Sequence, residues 1–558
     1  MSEFPLKRFT LDALYQRSIE SFAKETIFSS PTQSFTYHAL NEIVKKLKKD
    51  FQAKGIQRGD KVALLSENLP HWGMVYLAIT TMGAIVVPIL VDFHNSQIRH
   101  IIRSSQAKGL VLSSKKEDIF EEDDNDDSFE NLHFLMNIES LSFLESDLHP
   151  KLEKMKRIDK ILKDLPKKED KEISEDDVAV IIYTSGTSGH SKGVMLSHKN
   201  LVSNSDATKC VYQVSTEDRF LSILPLAHTF ECTVGFLLPF MNGASIYYLS
   251  KAPTPTVLKK ALQKVKPTCM LSVPLVIEKI YKNNIQAKFE SNAILKKIYK
   301  VPYLRKKLNK MAGKKLIEIF GGDLNFFAVG GAPLSAHVES FLIETDFPYL
   351  IGYGLTETAP LVAAAHPSKR KFRSTGPAIT DVTVSLLNKN ETTGEGELLV
   401  KGPNIMLGYY HDENATKEAF HDGWFRTGDL ARIDDDGYIF IQGRSKNMIL
   451  GPSGENIYPE QIESVILSSE FVLEALVFEN EGKIVAKVYL DYEKLDHRNS
   501  DQKIDIAQEK KIIEDLLEKI KDDTNKELSK FSKITKFLEQ QEPFETTPTK
   551  KIKRYLYV

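Results

Sequence analysis

The sequence has few cysteines and almost no net charge, and both shortages exclude classes of protein. Three cysteines occur in 558 residues, at Cys210, Cys232 and Cys269, which are too far apart for the usual metal-binding spacings. We interpret them as buried thiols of a reducing compartment. The formal net charge of −2 provides no bulk attraction to nucleic acid, so we predict no nucleic-acid partner. The amino-terminal stretch MSEFPLKRF lacks the apolar core of a secretory signal, and we predict a cytoplasmic location.

Charged residues are also missing from Leu69 to Val91, a stretch almost long enough to cross a bilayer. Two prolines and two glycines interrupt it, and Gly83 separates a helix-like part from the β-rich segment Ile85–Val87. These interruptions favour a helix and a strand in a buried core. A membrane span, as in a transporter, is the weaker alternative.

The length of the chain and its alternating pattern predict an α/β protein with more than one domain. Thr10 can cap a first helix, and Gly55 can end a second one. The apolar strand Val62–Leu65 follows, and strands continue to alternate with helices, which favours a largely parallel sheet. The acidic run 121–127 and the charged stretch 145–177 are interpreted as solvated surface insertions.

The most informative stretch is YTSGTSGHSKGVMLSHKN, from Tyr183 to Asn200, which follows a predicted buried strand at 178–182. Between Thr184 and Gly193 it contains three glycines, two threonines, three serines and one lysine. Glycine backbone, hydroxyl groups and a cation together suit a polyphosphate. An ordinary polar loop is the alternative. Lys192 is followed by Gly193, so the GK[ST] pattern of a Walker P-loop is absent and a kinase or GTPase is disfavoured.

This stretch resembles the phosphate loop of adenylate-forming enzymes, the superfamily of acyl-CoA synthetases, luciferases and nonribosomal-peptide adenylation domains. The usual form is close to TSGTTGxPKG, and Ser188 and Ser191 stand here in place of threonine and proline. Neither change removes a phosphate donor. The resemblance implies that ATP is held by Thr184, Ser185, Gly186, Thr187, Ser188, Gly189 and Lys192.

Two later stretches resemble the nucleotide motifs of the same superfamily. AVGGAP, from Ala328 to Pro333, resembles its adenine-binding turn, and GYGLTET, from Gly352 to Thr358, matches its YGxTE motif. The resemblance implies adenine contacts from Gly330, Gly331, Ala332, Pro333, Tyr353 and Gly354. It also implies that Thr356 contacts the α-phosphate and that Glu357 binds Mg²⁺. One carboxylate suffices because Mg²⁺ takes its other ligands from phosphate and water.

A histidine motif lies between the phosphate loop and the adenine turn. LPLAH, ending at His228, resembles a family motif whose histidine lies beside the acyl pocket and the α-phosphate. A satisfied core histidine is the alternative. The uncharged run 233–250 is predicted either to line a hydrophobic pocket or simply to pack in the core.

The carboxyl-terminal motifs imply a mobile lid. WFRTGD contains Asp429, a ribose ligand by resemblance, and GRSK contains Arg444, a second ribose or phosphate contact, and Lys446, the hinge. PTKKIKR matches the family pattern PxGKIxR, which aligns the catalytic lysine with Lys551, although Lys550 replaces the usual glycine. We therefore predict a large amino-terminal domain of layered sheets and helices, 1–443, and a small α+β lid, 444–558.

Further patterns within the lid predict its secondary structure. A helix is predicted to begin at Tyr458-Pro459-Glu460, and strands are predicted at 472–478 and 483–490. Two charged helices are predicted between about 503 and 538.

The resemblance implies ATP-dependent activation of a carboxylic acid, with Mg²⁺ as cofactor. The catalytic residues would be Lys551, Thr356, Glu357, His228 and Lys192. The segment GENI, ending at Ile457, together with the histidine motif, is closest to long-chain fatty acyl-CoA synthetases. Coenzyme A is then the expected thiol. Two alternatives stay open: an acyl carrier protein as acceptor, or a non-catalytic acyl- or nucleotide-binding protein.

A basic segment, 296–315, contains nine lysines and arginines interleaved with apolar residues. A solvated helix face is the simplest interpretation. Peripheral contact with an anionic membrane is the alternative, and it matters if the substrate partitions into lipid.

Overall fold

The computed structural model describes most of the chain. The described residues are 6–120, 127–144, 172–185, 191–290, 298–299, 301–451, 455–499, 506–547 and 551–558. Several predicted features lie outside these ranges, namely residues 121–126 of the acidic run 121–127, most of the charged stretch 145–177, Gly186, Thr187, Ser188, Gly189, Gly454 of the GENI segment and Lys550.

The helices and strands alternate along the amino-terminal part, as predicted. The α-helices are α1 Leu11–Ser21, α2 Tyr37–Ala53, α3 Pro70–Thr80, α4 Asn95–Ser105, α5 His198–Ala207, α6 Leu238–Asn242, α7 Pro255–Val265, α8 Pro274–Tyr281, α9 Ala287–Glu290, α10 Pro302–Ile319, α11 Ala336–Glu344, α12 Glu413–Glu418, α13 Pro459–Ile466, α14 Tyr492–Asn499 and α15 Ile506–Glu527. A π-helix, Glu231–Leu237, precedes α6.

The strands form sheets whose order differs from the order along the chain. They are β1 Thr26–Ser29, β2 Ser34–Thr36, β3 Lys61–Leu65, β4 Ile85–Ile89, β5 Gly109–Leu112, β6 Phe134–Asn137, β7 Ser142–Phe143, β8 Val178–Ser185, β9 Ser191–Ser197, β10 Arg219–Ser222, β11 Ser245–Tyr248, β12 Cys269–Ser272, β13 Phe326–Val329 and β14 Tyr349–Ile351. The later strands are β15 Tyr353–Gly354, β16 Leu361–Ala363, β17 Thr383–Leu387, β18 Glu395–Lys401, β19 Gly408–Tyr409, β20 Phe420–His421, β21 Trp424–Ile433, β22 Ile439–Arg444, β23 Ile449–Leu450, β24 Asn456–Ile457, β25 Val472–Asn480, β26 Lys483–Leu490 and β27 Lys536–Gln540.

Two large, mainly parallel sheets form the body of the amino-terminal part. The first has the order β14-β13-β12-β10-β11-β1-β2, and the second has the order β19-β9-β8-β4-β3-β5-β6-β7. The largest hydrophobic cluster contains residues of both sheets, for example Phe28 of β1 and Val62 of β3. Helix α3 is buried in this cluster, with Trp72 fully inaccessible. The uncharged stretch from Leu69 to Val91 is therefore a core helix and strand, as predicted.

Local signals set the first elements correctly. The Thr10 hydroxyl accepts a hydrogen bond from the amide of Ala13 at the start of α1. Helix α2 ends two residues before Gly55, whose φ of +78° is the left-handed conformation that glycine adopts without strain.

A third, antiparallel sheet carries the ribose motif. Its order is β17-β18-β21-β20, and β22 pairs with the other part of β21. In the β21–β22 pair, Asp429 lies directly opposite Arg444. Sheet register therefore places two motif residues, fifteen positions apart in sequence, side by side.

The carboxyl-terminal segment has a hydrophobic cluster of its own, drawn from residues between Ile449 and Phe537. Helices α13 and α15 pack with the sheet β25-β26-β27, an α+β arrangement as predicted. The start of α13 and the positions of β25 and β26 match the sequence predictions. The predicted second charged helix is wrong, because residues 536–540 form β27, which pairs in parallel with β26 and buries Phe537. The division at 443/444 stays a prediction.

Within the described part of the chain, no helix has both the length and the apolar character needed to cross a bilayer.

Candidate active site

The phosphate stretch forms the two arms of a β-hairpin. Strands β8 and β9 are antiparallel, with Thr184 opposite Lys192 and Ser185 opposite Ser191. Helix α5 begins only at His198, after the whole of β9. Lys192 therefore lies on a strand and not at the start of a helix, which agrees with the absence of a Walker P-loop pattern.

Tyr409 connects the lysine of this hairpin with the predicted metal ligand. Its hydroxyl donates a hydrogen bond to Oε1 of Glu357 at 2.9 Å, and Nζ of Lys192 lies 5.1 Å from the centre of its ring. Lys192 Nζ also lies 3.9 Å from Oδ2 of Asp412. Tyr409 is on the edge strand β19, opposite Val194 of β9. The predicted phosphate-binding cation and the predicted metal ligand are thus held on one structural unit.

Two glycines of the predicted nucleotide motifs lie in close packing. A Cβ at Gly354 would lie 1.8 Å from the carbonyl oxygen of Pro360, so no side chain fits at this position. A Cβ at Gly330 would lie 3.1 Å from the ring of Phe230. The predicted adenine turn, with Gly331 at φ +86°, therefore lies against the segment that follows His228.

Asp429 is the centre of a buried hydrogen-bond cluster. Its Oδ2 accepts from the Tyr353 hydroxyl at 2.6 Å, and its Oδ1 lies 2.8 Å from Nε of Arg444. Arg444 also donates to the carbonyl of Thr427 at 3.2 Å. The carboxyl group is 5% exposed, and burial raises its pKa while Arg444 opposes that rise. A carboxylate has about four acceptor positions, so two remain for hydroxyl donors of a ligand.

Lys551, which belongs to the last segment of the chain, interacts with Asp429 and Arg444 of this cluster. Burial lowers the pKa of its ammonium group, and so does the Arg444 guanidinium, whereas Asp429 and Glu357 act in the opposite direction. The residue as a whole keeps exposed surface, although protein atoms surround its ammonium group. The lid thus brings a cation to the two carboxylates of the amino-terminal part.

His228 faces the same lysine. Its pKa is lowered to about 4, first by burial and then by the Lys551 ammonium. The imidazole is therefore neutral at physiological pH and can offer a hydrogen bond but no charge. Its Nδ1 accepts from the amide of Phe230 at 3.3 Å.

The buried carboxyl group of Glu231 belongs to a hydrogen-bond network that holds the histidine segment in place. Glu231 is 1% exposed, and burial raises its pKa to about 8, so it is mostly protonated at neutral pH. Its Oε1 accepts from the Ser222 hydroxyl at 2.6 Å, and Asn68 donates to the same hydroxyl oxygen at 2.9 Å. Asn68 also accepts from the amide of Leu226 at 2.9 Å. This network fixes both the LPLAH loop and the start of the π-helix.

An apolar pocket adjoins the histidine segment. Its walls come from the turn after α5, the π-helix and the residue before it, the first sheet, and residues on both sides of the YGxTE motif. The lining residues are Thr208, Val211, Phe230, Val234, Phe326, Ala328, Leu350, Gly352, Leu361 and Ala364. The pocket is narrow, so an elongated ligand would have to move its walls apart.

The structure brings most of the described candidate residues together. Electrostatic interactions or hydrogen bonds connect Lys551, Asp429, Arg444, Glu357 and His228. Lys446 belongs to the same charged group, because Arg444 and Lys551 both lower the pKa of its ammonium after burial. Thr356 is half-buried in a short 3-10 turn next to Glu357. Residues 186–190, which follow β8 in the sequence and include Gly186, Thr187, Ser188 and Gly189, lie outside the described residues.

A family model described as "AMP-binding enzyme" matches residues 15–410, more than two thirds of the chain. The chain belongs to the AMP-binding enzyme family. The matched range contains the hairpin, the histidine motif, the glycine turn and the YGxTE motif, whereas Asp429, Arg444 and Lys551 follow it in the chain.

Relatives and solved structures agree with this assignment. The chain is 29% identical to long-chain-fatty-acid–CoA ligase FadD15 of Mycobacterium bovis over 76% of this chain and 71% of that protein. It is 33% identical to long-chain-fatty-acid–CoA ligase 1 of Saccharomyces cerevisiae, over 55% of this chain but only 47% of the yeast protein. O-succinylbenzoate coenzyme A synthetase of Bacillus subtilis, solved with ATP and magnesium, has the same fold, with a TM-score of 0.74, 20% identity and coverage of 97% and 98%.

Sequence analysis of this AMP-binding enzyme missed Tyr409 and Asp412, and it gave Glu231 no role beyond its place at the end of the segment that contains the histidine motif. The first two lie about fifty residues after the YGxTE motif and outside the WFRTGD motif, and only the pairing of β19 with β9 brings them to Lys192. A glycine followed by two tyrosines is a weak local signal. Glu231 could have been suspected, because a carboxylate within an otherwise uncharged run, 220–250, needs a buried partner or a proton.

Proposed function

We propose that this chain activates a medium-to-long-chain fatty acid with ATP and transfers the acyl group to coenzyme A. The observation that carries the proposal is the meeting of Lys551 with Asp429, Glu357 and His228 in one cleft. The names of the two curated relatives supply the acid and the thiol. The apolar pocket beside Phe230 is the proposed site of the acyl chain.

The chemistry requires charge stabilisation and no side-chain nucleophile. The substrate carboxylate attacks the α-phosphorus of ATP. The bond between the α-phosphorus and the oxygen that bridges to the β-phosphate breaks, and pyrophosphate leaves with that oxygen. Lys551 would bridge the carboxylate and α-phosphate oxygens, and Thr356 would bind the α-phosphate. Lys192 would hold the departing phosphates. Because Nδ1 of the neutral His228 accepts from the Phe230 amide, its Nε2–H would donate a hydrogen bond without adding charge.

Glu357 is suited to hold magnesium. Tyr409 occupies one carboxylate oxygen, Oε1, and the second remains available to a cation. When bound, Mg²⁺ neutralises phosphate charge during pyrophosphate departure. One protein carboxylate together with phosphate oxygens and water matches the ligand preference of this ion.

The second half-reaction uses the same site after the lid moves. The thiol of coenzyme A attacks the acyl carbonyl, and AMP leaves with the electron pair of the anhydride bond. Lys551 would withdraw as the lid turns about Lys446 and opens a path for the thiol. The division at 443/444 places the boundary between the two moving parts at the end of β22.

A pyrophosphate-release assay across saturated acids of increasing length, with and without coenzyme A, tests the function. We expect activity to peak among medium-to-long chains, because each buried methylene contributes about 0.8 kcal/mol. A maximum at acetate or with aromatic acids would contradict the fatty-acid proposal. Transfer to holo acyl carrier protein in place of coenzyme A would favour the alternative acceptor. No pyrophosphate from any acid would favour the non-catalytic alternative, which the presence of Lys192, Glu357, Asp429 and Lys551 opposes.

The exposed face of α10 also fits peripheral contact with an anionic membrane. Tyr303 and Met311 are 67% and 64% exposed, and Lys307 lies over the Tyr303 ring with its Nζ 4.8 Å from the centre. The exposed charged residues of the helix are Lys306, Lys307, Lys310, Lys314, Lys315 and Glu318. Apolar side chains among excess lysines suit a negatively charged lipid surface, where a fatty acid would be concentrated.

Vesicle sedimentation tests this contact. Replacing Lys306, Lys307 and Lys314 by glutamate should lower binding to vesicles containing phosphatidylserine at least about tenfold, since each lysine near such a surface contributes about 1 kcal/mol. The matched control replaces the exposed Lys389, Lys417 and Lys483 by glutamate and changes net charge equally. Equal loss in both variants, or equal binding to neutral vesicles, would contradict a specific contact.

A further inference from the structure

An ion pair inside the lid holds the tail that carries Lys551. Arg554, three residues after Lys551, donates from one terminal nitrogen to Oε1 of Glu463 at 2.7 Å. Its other terminal nitrogen donates to the carbonyl of Val477 on β25. Both side chains are largely buried, with 22% and 13% of their surface exposed. The planar guanidinium thus joins the tail to two elements of the lid body at once.

Glu463 is itself fixed by the lid body. It lies on α13, and its Oε1 accepts the amide of Val477 at 2.7 Å as well as the arginine. Helix α13 follows the proposed hinge by only twelve residues, and Asn447, next to Lys446, donates to Glu460 of the same helix at 2.6 Å. The hinge, the helix and the tail therefore form one continuous hydrogen-bonded path to Lys551.

Nearer to Lys551 the tail makes contacts of its own, while Phe544 and Tyr557 on either side are bonded to Glu474 and Lys487 of the lid body. The amide of Lys551 donates to the Thr547 hydroxyl at 3.2 Å, and its carbonyl accepts from the Thr547 amide at 2.7 Å. Lys553 pairs with Glu545 at 3.2 Å, but that carboxylate is 65% exposed. These contacts lie within the tail, whereas the Arg554 guanidinium reaches a buried carboxylate on the lid body.

We propose that Glu463 is a positioning residue for adenylate formation, acting through Arg554 to set the place of Lys551. The inference rests on the proposed function. A displacement of about 1 Å in a catalytic group can cost about 100-fold in rate, so loosening the tail should slow the step that uses the lysine. Thioester formation should be spared, because Lys551 is absent from the site during that step.

Protonation of Glu463 should weaken its ion pair with Arg554 and so loosen the tail that carries Lys551. Burial raises its pKa to about 7 although Arg554 opposes the rise, and the other charged group facing it is Glu460 of its own helix. The carboxylate is therefore ionised and paired above that pH, and neutral below it. The ratio of adenylation to thioesterification rates should rise between about pH 6 and about pH 8 in the wild type.

The test measures the two half-reactions separately in full-length protein. Adenylation is followed by ATP–pyrophosphate exchange with the most active fatty acid, and thioesterification by acyl-CoA formation from supplied acyl-AMP. Glu463→Ala should lower adenylation at least about tenfold and leave thioesterification within about threefold. Glu463→Gln should fold even if the alanine variant does not, and should lose the pH dependence of the ratio. Glu545→Ala, which breaks the exposed ion pair of the same tail, is the matched control and should change neither rate appreciably.

A double-mutant cycle on Glu463 and Arg554 provides a second check of the proposal. The double variant Glu463→Ala, Arg554→Ala should be no slower in adenylation than either single variant. Arg554→Lys should rescue little, because a single ammonium cannot reach Glu463 and Val477 in a fork. Equal loss in both half-reactions, or a flat ratio in the wild type, would overturn the positioning role. A wild type without exchange activity would instead refute the proposed function.

Discussion

Replacing Lys551 with alanine should abolish adenylate formation while leaving thioester formation intact. The ammonium group lies among Asp429, Glu357 and His228, where a new negative charge develops as pyrophosphate departs. Losing one such electrostatic donor costs about 100- to 1,000-fold in rate, and we expect the upper end because this site is partly desolvated. ATP–pyrophosphate exchange measures the first step, and acyl-CoA formation from supplied acyl-AMP measures the second.

Adjacent lysines supply the control for this experiment. Lys550 stands where the family pattern has glycine, so Lys550→Ala should retain exchange activity within a few-fold. Full exchange in Lys551→Ala, or a selective loss in Lys550→Ala, would show that the catalytic lysine has been assigned to the wrong position. Loss of both half-reactions in Lys551→Ala would indicate damage to the lid.

The parts of the fold that the sequence predicts well are governed by local signals. The Thr10 cap, the left-handed Gly55 and the proline at the start of α13 each act within a few residues of the element that they bound. Strand β27 shows the limit of such signals. Its charged sequence favours a helix, but pairing with β26 and burial of Phe537 select a strand, and that partner lies about fifty residues away.

The candidate site divides in the same way. Tyr353, Thr356, Glu357 and Asp429 could be named from the sequence because each lies in a short contiguous motif whose residue types match the ligand chemistry. Tyr409 could not, because a tyrosine on a two-residue edge strand has no local pattern that reveals its neighbour across the sheet. Glu463 was likewise hidden, since its role depends on an arginine 91 residues later in the chain.

Replacing Asp429 with alanine should weaken ATP use by about 100-fold or more in kcat/KM. The carboxylate accepts hydrogen bonds from Tyr353 and Arg444, and we propose that it also binds both ribose hydroxyls. Hydrogen bonds to a charged group contribute about 1.5 to 3 kcal/mol each, and Arg444 would also be left without its carboxylate. Steady-state kinetics at varied ATP concentration would measure the loss. Arg426→Ala is the matched control, because Arg426 is on the same strand as Asp429, is 44% exposed and pairs with Glu397 of the neighbouring strand β18.

Deoxynucleotides separate the ribose contact from a general weakening of the site. The wild type should discriminate against 2′-deoxy-ATP and 3′-deoxy-ATP, because each lacks one donor that Asp429 would accept. Asp429→Ala has lost the acceptor, so it should use ATP and both deoxynucleotides with nearly equal kcat/KM, whereas Arg426→Ala should keep the wild-type preference. Unchanged discrimination in Asp429→Ala would place the ribose elsewhere. Because Asp429, Arg444 and Lys551 interact in one cluster, that result would also remove the nucleotide from the cleft to which the lid delivers its lysine.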